Sequence, residues 1–480
     1  MLQRLRESLA LILIAVLPMH AILVTVATHT LEGQNHAPLA FLALWKESLL
    51  AFIMLIAFAE LLRMKEPELK HAVMSLDLID WCIIVVITFG VAVSIFGGAG
   101  LSFGWPLSLA DKQFLLGFKY DFLPLVAFFV LRRVLWSRNF LVVVTRTIGM
   151  VGVVAAVFGI ATLFLPLSFF TGIGYSDLHS LYLPNAPIAS FQFLEGTDIR
   201  RIQSFMSGPN QFGLWLLLPI SAHLQLLIKS LRERRRFDAM LYAVGEILVL
   251  IALFFTYSRS AWIGAAVILV TVSILLLKDV ITSAFHRTCV LVTVGVFAVG
   301  VMLVGMWFSP QILVRTQSLK GHIEKPIAAM EIMGEHPLGL GLGTAGPASN
   351  HLSDTCVFLE AGADFSWATS RKDFCVFVGG EQKLPVGTAC NCPLLTENWY
   401  LQWGVEMGWA GVALSVMLVF FVFRSEKRKM NSEQWILLSF VGISVAALFL
   451  HAWEDAAVAY TLWLLLGAGG LCRMRQKLDV

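Results

Sequence analysis

Ionic side chains are scarce in this chain of 480 residues, at 14% of the total, where a soluble globular protein carries about 25%. Hydrophobic residues make up 58% and the mean hydropathy is +0.78. One soluble core cannot absorb that much apolar sequence, so lipid is the solvent for a large part of it. Alternating strands of about ten residues, the unit of a transmembrane barrel, are not the pattern here. Continuous apolar runs near the roughly 20 residues of a spanning helix recur instead. No internal repeat is evident, which disfavours a transporter built from two similar halves. The net charge of +3 follows from how basic residues are shared among loops and gives no sign of nucleic acid.

The expected fold is therefore all-α, a polytopic bundle of about twelve spans. They fall at Leu9–His29, Phe41–Leu62, Leu78–Gly98, Asp121–Leu135, Phe140–Leu165 and Gln211–Ile228, then Met240–Thr256, Ala261–Leu277, Cys289–Phe308, Asn398–Phe423, Trp435–His451 and Ala456–Leu471. The first run is too long for a signal peptide and has no small-residue cleavage site, so it reads as a retained helix. Basic residues concentrate in alternate loops: Arg4/Arg6, Arg63/Lys65/Lys70, Arg132/Arg133/Arg138, Lys229 to Arg236, Lys278/Arg287, Arg424 to Lys429, and Arg473/Arg475/Lys477. Cytoplasmic loops are enriched in Lys and Arg, so both termini are expected inside.

Two long connections, Ser168–Asn210 and Ser309–Glu397, then fall outside, and loops of such length usually carry function. The chain divides accordingly into a membrane region 1–308, a large loop subdomain 309–397 that opens on an amphipathic helix over Gln311–Met333, and a membrane region 398–480. Cysteine is sparse, and four of the seven, Cys356, Cys375, Cys390 and Cys392, sit in that large loop. One or two disulfides in an oxidising compartment account for them. The alternative is a metal, but Cys390-Asn391-Cys392 leaves one residue between cysteines where structural zinc sites leave two to four. The pairing is open. Cys82, Cys289 and Cys472 lie in or near spans and need no special role.

Ionisable groups bordering spans are costly and tend to mark sites. Arg259, in Thr256-Tyr257-Ser258-Arg259-Ser260-Ala261, falls at a tight outer turn, and Arg201 shortly precedes Gly208-Pro209-Asn210 on the same side. Each alone can simply snorkel to the interface. Together they point to an anion, because guanidinium groups bind phosphate bidentately. Glu397 stands where the large loop re-enters the membrane, in Thr396-Glu397-Asn398-Trp399-Tyr400-Leu401. It can serve as a general base or merely as a carboxylate at a helix N-terminus. The glycine-rich run His336-Pro337-Leu338-Gly339-Leu340-Gly341-Leu342-Gly343 follows a helix and faces outward, so it is no dinucleotide fingerprint. It reads as a turn that brings backbone close to substrate or to another helix.

Taken in order, Arg201 with Gly208-Pro209-Asn210, Ser258-Arg259-Ser260-Ala261, His336-Pro337 with Gly339-Leu340-Gly341, and Glu397-Asn398-Trp399-Tyr400-Leu401 resemble the bacterial O-antigen ligase/polymerase family, over about Lys119 to Gly411. The resemblance implies an inner-membrane glycosyltransferase whose donor glycan rides on undecaprenyl diphosphate and whose acceptor is a hydroxyl of a glycan or glycolipid on the outer face. Arg201 and Arg259 match the arginines thought to hold the diphosphate, and Glu397 stands where ligases commonly have a histidine. Asn210, Arg315, His322, His336 and Asn398 are further candidates for substrate contacts. No aspartate pair in the outer loops has a spacing that compels a metal, and neither metal nor cofactor is expected. The rival from another class is a transporter or flippase for lipid-linked sugars, which also wants arginines along a cavity. With the native loop cysteines blocked, a Ser366→Cys variant should take up an impermeant thiol reagent in cells whose cytoplasmic membrane is intact; labelling only after that membrane is permeabilised would place the loop inside.

Overall fold

The computed structural model describes the chain except residues 35, 68, 71–75, 98–100, 102–106, 177–186, 195–196, 281–315, 360, 370–373, 428–433 and 471–480. The protein is a predominantly helical membrane protein. Eight helices among the described residues are long and apolar enough to cross a bilayer. They are α1 (Leu2–Glu32), α3 (Leu78–Phe96), α4 (Leu109–Leu131), α5 (Arg138–Phe164), α6 (Pro209–Arg232), α7 (Arg236–Phe255), α8 (Arg259–Val280) and α11 (Trp399–Lys427). Between α1 and α3 runs α2 (Trp45–Leu62), apolar but carrying Lys46, Glu47 and Glu60. Two shorter apolar helices close the chain, α12 (Gln434–Ala446) and α13 (Ala456–Gly470). The expected span Cys289–Phe308 lies outside the described residues.

Local chemistry explains boundaries that hydrophobicity alone misplaces. Helix α4 begins at Leu109, well before the expected Asp121, because Ser108 and Asp111 form a reciprocal capping box. Within α4 the segment Phe118–Phe122 winds as a π-helical turn, a wider coil often found near functional sites. Helix α12 stops at Ala446, short of the expected His451. The carbonyls of Ala447 and Leu448 are taken by the Trp399 backbone N–H and the Asn398 side-chain amide.

At the end of the bundle away from the large loop, buried charges are paired, as a low-dielectric setting requires. Arg6 bonds Glu60 at 3.1 Å, and Arg132 bonds both Asp77 and Asp80 at 2.7 and 3.0 Å.

The large loop folds as a helical insertion followed by a small sheet. Helix α9 (Thr316–Glu335) runs alongside the start of α11, with Lys325 meeting Glu397 and Met333 pressed on Gly404. The glycine-rich run then turns back into the bundle. Its Leu342 N–H donates to the Ser94 hydroxyl at 2.9 Å and its Gly343 N–H to the buried Glu406 carboxylate at 2.9 Å. Backbone does approach another helix here, as expected. Helix α10 (Gly346–Leu352) follows, then strands β3 (Thr355–Leu359), β4 (Phe374–Val378) and β5 (Glu381–Leu384), numbered after a two-residue pair β1 (Gln192–Phe193) and β2 (Arg200–Arg201). Strand β3 pairs parallel with β4, and β4 antiparallel with β5, over a core of Ala368, Phe374, Val376 and Val378. An all-α expectation omits this sheet, although its alternating Phe374-Cys375-Val376-Phe377-Val378 carries a strand signal.

Disulfides join Cys356 to Cys392 and Cys375 to Cys390. Cys356 and Cys375 are register partners on one sheet face. Residues two apart on an extended chain point the same way, so the single-residue spacing of Cys390 and Cys392 presents both sulfurs to that face.

Met407 and Gly408 break the helical path of α11, and Gly408 has φ +66° with the Pro337 carbonyl oxygen 1.9 Å from where a Cβ would sit. Strain of this kind costs roughly 1–3 kcal/mol before any clash is relieved. Gly408→Ala should therefore lower the melting temperature clearly, whereas Gly334→Ala, in open space on α9, should leave it unchanged or raise it. Differential scanning fluorimetry in detergent compares them.

Candidate functional site

Two clusters form on the side of the bundle that carries the large loop. The first gathers around the start of α6 and α8. Arg201 closes β2, and its Nε donates to the Thr256 carbonyl at 2.9 Å while Nη2 donates to the Asn210 side-chain oxygen at 2.8 Å. A further bond, Ile202 N–H to Phe255 carbonyl at 3.1 Å, ties the strand to the α7–α8 turn. Adjacent strand residues point to opposite faces, and Arg200 accordingly goes elsewhere. It stacks on Phe191 at 3.6 Å and donates to the carbonyls of Thr162 and Leu165.

Arg259 is the first residue of α8. A Cβ on Gly213, one turn into α6, would lie 2.9 Å from the Ala261 Cβ and 3.1 Å from the Ser258 Cβ. The two helices thus start side by side. Their positive dipole ends lie together, with Arg201 and Arg259 beside them. Such an arrangement is an anion site in the making.

The second cluster surrounds Glu397. Asn398, not Glu397, caps α11: its side-chain oxygen accepts from the Leu401 N–H at 3.0 Å and its amide donates to Leu448. Asn398 therefore holds the capping position, and Glu397 stands just before it. The Glu397 carboxylate instead meets the Lys325 ammonium at 2.7 Å. Lys325 was not among the residues the sequence singled out, since a lysine on an amphipathic helix looks like any solvated one. His322, one turn earlier on α9, also acts on Glu397, as does His451 beyond α12.

Burial pushes the Glu397 carboxyl up, but Lys325 foremost, with His451 and His322, outweighs it and holds the group below the ordinary glutamate range. Burial pushes His451 down to about 4, although Glu397 pulls the other way. Its Nδ1 lies 2.6 Å from the Gln402 side-chain oxygen, and the Gln402 amide donates to Glu454.

Glycines also set the height of the clusters. Gly264 of α8 packs on Gly442 of α12, a built Cβ lying 2.7 Å from the Gly442 carbonyl oxygen. Arg259 precedes Gly264 by as many residues as Ala447 follows Gly442. With a rise of about 1.5 Å per residue, the two stand level. Since the Trp399 N–H donates to the Ala447 carbonyl, the Glu397 re-entry point and the arginine cluster share one level of the bundle. Of the four non-glycine residues with positive φ among the described residues, Ser204, Tyr257 and Glu397 (52°, 49° and 51°) lie near these clusters and Arg234 (58°) follows the opposite end of α6.

His336 ends α9 in an exposed position, its carbonyl accepting from the Gly339 N–H. Eleven residues of helix separate it from Lys325, about 16 Å, so it stands apart from Glu397. Arg315 lies outside the described residues. Among the described residues, one trio has metal-ligand geometry, Asp354 with Cys375 and Cys390. Its two sulfurs are bonded to each other, so it offers no thiolate.

No protein-family model matches the chain, and no curated protein matches it.

A carboxyl held low stabilises the fold above the ordinary glutamate pKa of about 4.3 and loses that contribution as pH falls through its lower folded value. Lys325→Met removes the chief counter-charge and leaves burial dominant. The variant should be less stable than wild type at pH 7, and the gap in melting temperature should narrow as pH is lowered toward 4. A gap that stays constant with pH would mean that the pair carries no such linkage.

Proposed function

We propose that the chain is a glycosyltransferase of the O-antigen ligase or polymerase type, moving a glycan from an undecaprenyl-diphosphate donor to an acceptor hydroxyl. In this proposal it spans the inner membrane about twelve times, with both termini in the cytoplasm and the disulfide-bonded loop outside. The observation that supports it most is the apposition of two helix N-termini with Arg201 and Arg259, level with Glu397. The resemblance of the ordered motifs adds the substrate class.

In the proposed reaction the acceptor oxygen attacks the anomeric carbon, and the bond from that carbon to the diphosphate oxygen breaks with its electron pair leaving on the diphosphate. The guanidinium groups and helix N-termini stabilise that growing negative charge. Lys325 keeps Glu397 ionised, ready to receive the acceptor's proton. Asn210 orients Arg201 through the 2.8 Å bond. Chemistry is then inverting and independent of metal, with both substrates held in one orientation by the loop.

Single-turnover transfer from a lipid-linked oligosaccharide in detergent tests the roles. Glu397→Gln keeps shape but cannot take the proton, and should lose about 100- to 10,000-fold in rate with donor binding intact. Arg201→Lys and Arg259→Lys keep charge but lose the planar fork, and should lose about 100- to 1000-fold. Wild-type-like turnover in all three would remove these residues from the mechanism. Absence of any bond transfer by the wild-type protein, with the lipid-linked sugar still bound, would favour a carrier.

A further inference from the structure

The short hairpin of β1 and β2 has two unlike faces. Gln192 is the register partner of Arg201, and Phe193 that of Arg200, in an antiparallel pair. Residues directly opposite each other send their side chains to the same side. One face is apolar: Phe193 and Phe191, two apart along the chain, pack with Phe170 and Tyr175, and Arg200 lies over the Phe191 ring. The other face carries Gln192 beside Arg201, which bonds Asn210 at the start of α6 at 2.8 Å.

Gly208 brings a second carboxamide to that polar face. A Cβ on Gly208 would lie 2.7 Å from the Gln211 side-chain oxygen and 3.3 Å from the Gln192 side-chain nitrogen. The two amide ends therefore converge over bare backbone just ahead of α6. Glycine is not required at 208 for its conformation, because φ there is −172°, extended backbone that any residue adopts. What it supplies is room. Both glutamines are half-buried, and among the described residues neither carboxamide takes part in a hydrogen bond.

We propose that Gln192 and Gln211 hold the first sugar of the donor through its hydroxyl groups and so help to select which sugar is accepted. Each carboxamide offers a donor and an acceptor. A hydroxyl answers both, whereas a diphosphate oxygen only accepts and is served by Arg201 and Arg259. In the reaction proposed above, the anomeric carbon is joined directly to the diphosphate oxygen. Polar groups adjoining the diphosphate site thus meet the substituents next to that carbon. The assignment rests on that reading of the arginine cluster and adds a specificity element to it.

Binding tests this without turnover. Purified full-length protein in detergent is titrated with undecaprenyl diphosphate, and with the same lipid carrying one glucose, galactose, N-acetylglucosamine or N-acetylgalactosamine. Wild type should bind at least one sugar-bearing lipid more tightly than the bare one. Gln192→Met and Gln211→Met keep side-chain length but lose the amide. Each should weaken binding of the preferred lipid by about 2- to 10-fold, the effect of one neutral hydrogen bond, with affinity for the bare lipid unchanged. Gly208→Ala, which displaces the Gln211 amide without straining the backbone, should act in the same way, while Arg201→Lys should weaken both lipids alike. Equal loss of both lipids in the glutamine variants would put the amides on the diphosphate or in the fold, and overturns the proposal. An unaltered preference, or a wild type that prefers no sugar, overturns it too. Should the preference behave as expected while wild type transfers no glycan, the sugar contact stands and the glycosyltransferase assignment falls. Transfer by wild type, with the preference intact in the variants, leaves that assignment standing and removes the glutamines.

Discussion

A Cβ on Gly264 would lie 2.7 Å from the Gly442 carbonyl oxygen, and one on Gly213 only 2.9 Å from the Ala261 Cβ. Close approach of helices at glycine is the constraint on which the loop side of this bundle depends. In lipid there is little hydrophobic drive between helices, so association relies on van der Waals contact that small residues permit. Here that contact also sets height and orientation. Gly213 holds the starts of α6 and α8 together, and Gly264 with Gly442 brings the α12 end to the same level. Both clusters of polar side chains inherit their positions from these contacts.

Placing ionisable groups at such a level is costly, and each is answered differently. Charges away from the large loop are neutralised by direct partners, as Arg132 is by Asp77 and Asp80. Arg200 is spent on carbonyls and a phenylalanine face. Arg201 is held by a carbonyl and an amide oxygen, Thr256 and Asn210. Those partners fix its direction at the paired helix starts. Glu397 is answered by a lysine from the inserted helix α9, so its ionisation depends on how the large loop docks. Motion of α9 would change both the access to Glu397 and its affinity for a proton.

The loop subdomain solves a separate problem. Its sheet has few strands and a small core, too little to be stable alone. Two disulfides tie it to the extended segment that leads back to Glu397, so the re-entry point is braced on its loop side by covalent bonds. On its bundle side Asn398 and Trp399 bond the α12 end.

Hydrophobicity by itself determined that the chain is a helical membrane protein and roughly where most spans lie, because a run of about 20 apolar residues has few other stable environments. Motif order was enough to mark Arg201, Asn210, Arg259 and Glu397, since glycine-proline turns and isolated charges at span ends are local features. Helix α4 was half legible: its apolar part was visible, but its start depended on the Ser108–Asp111 cap. Only the tertiary structure decided that Asn398 rather than Glu397 caps α11, since both are able to cap and the choice lies in which carbonyls α12 leaves open. The same holds for Lys325 and His451, distant in sequence from Glu397 and unremarkable among their neighbours. Their electrostatic role arises from helix packing, whose energy is spread over many contacts and leaves no motif. The cysteines pointed to a cross-linked loop with a metal as the alternative, and both the bonds and their pairing waited on the sheet, because four cysteines allow three pairings and only the strand register brings particular sulfurs within bonding distance.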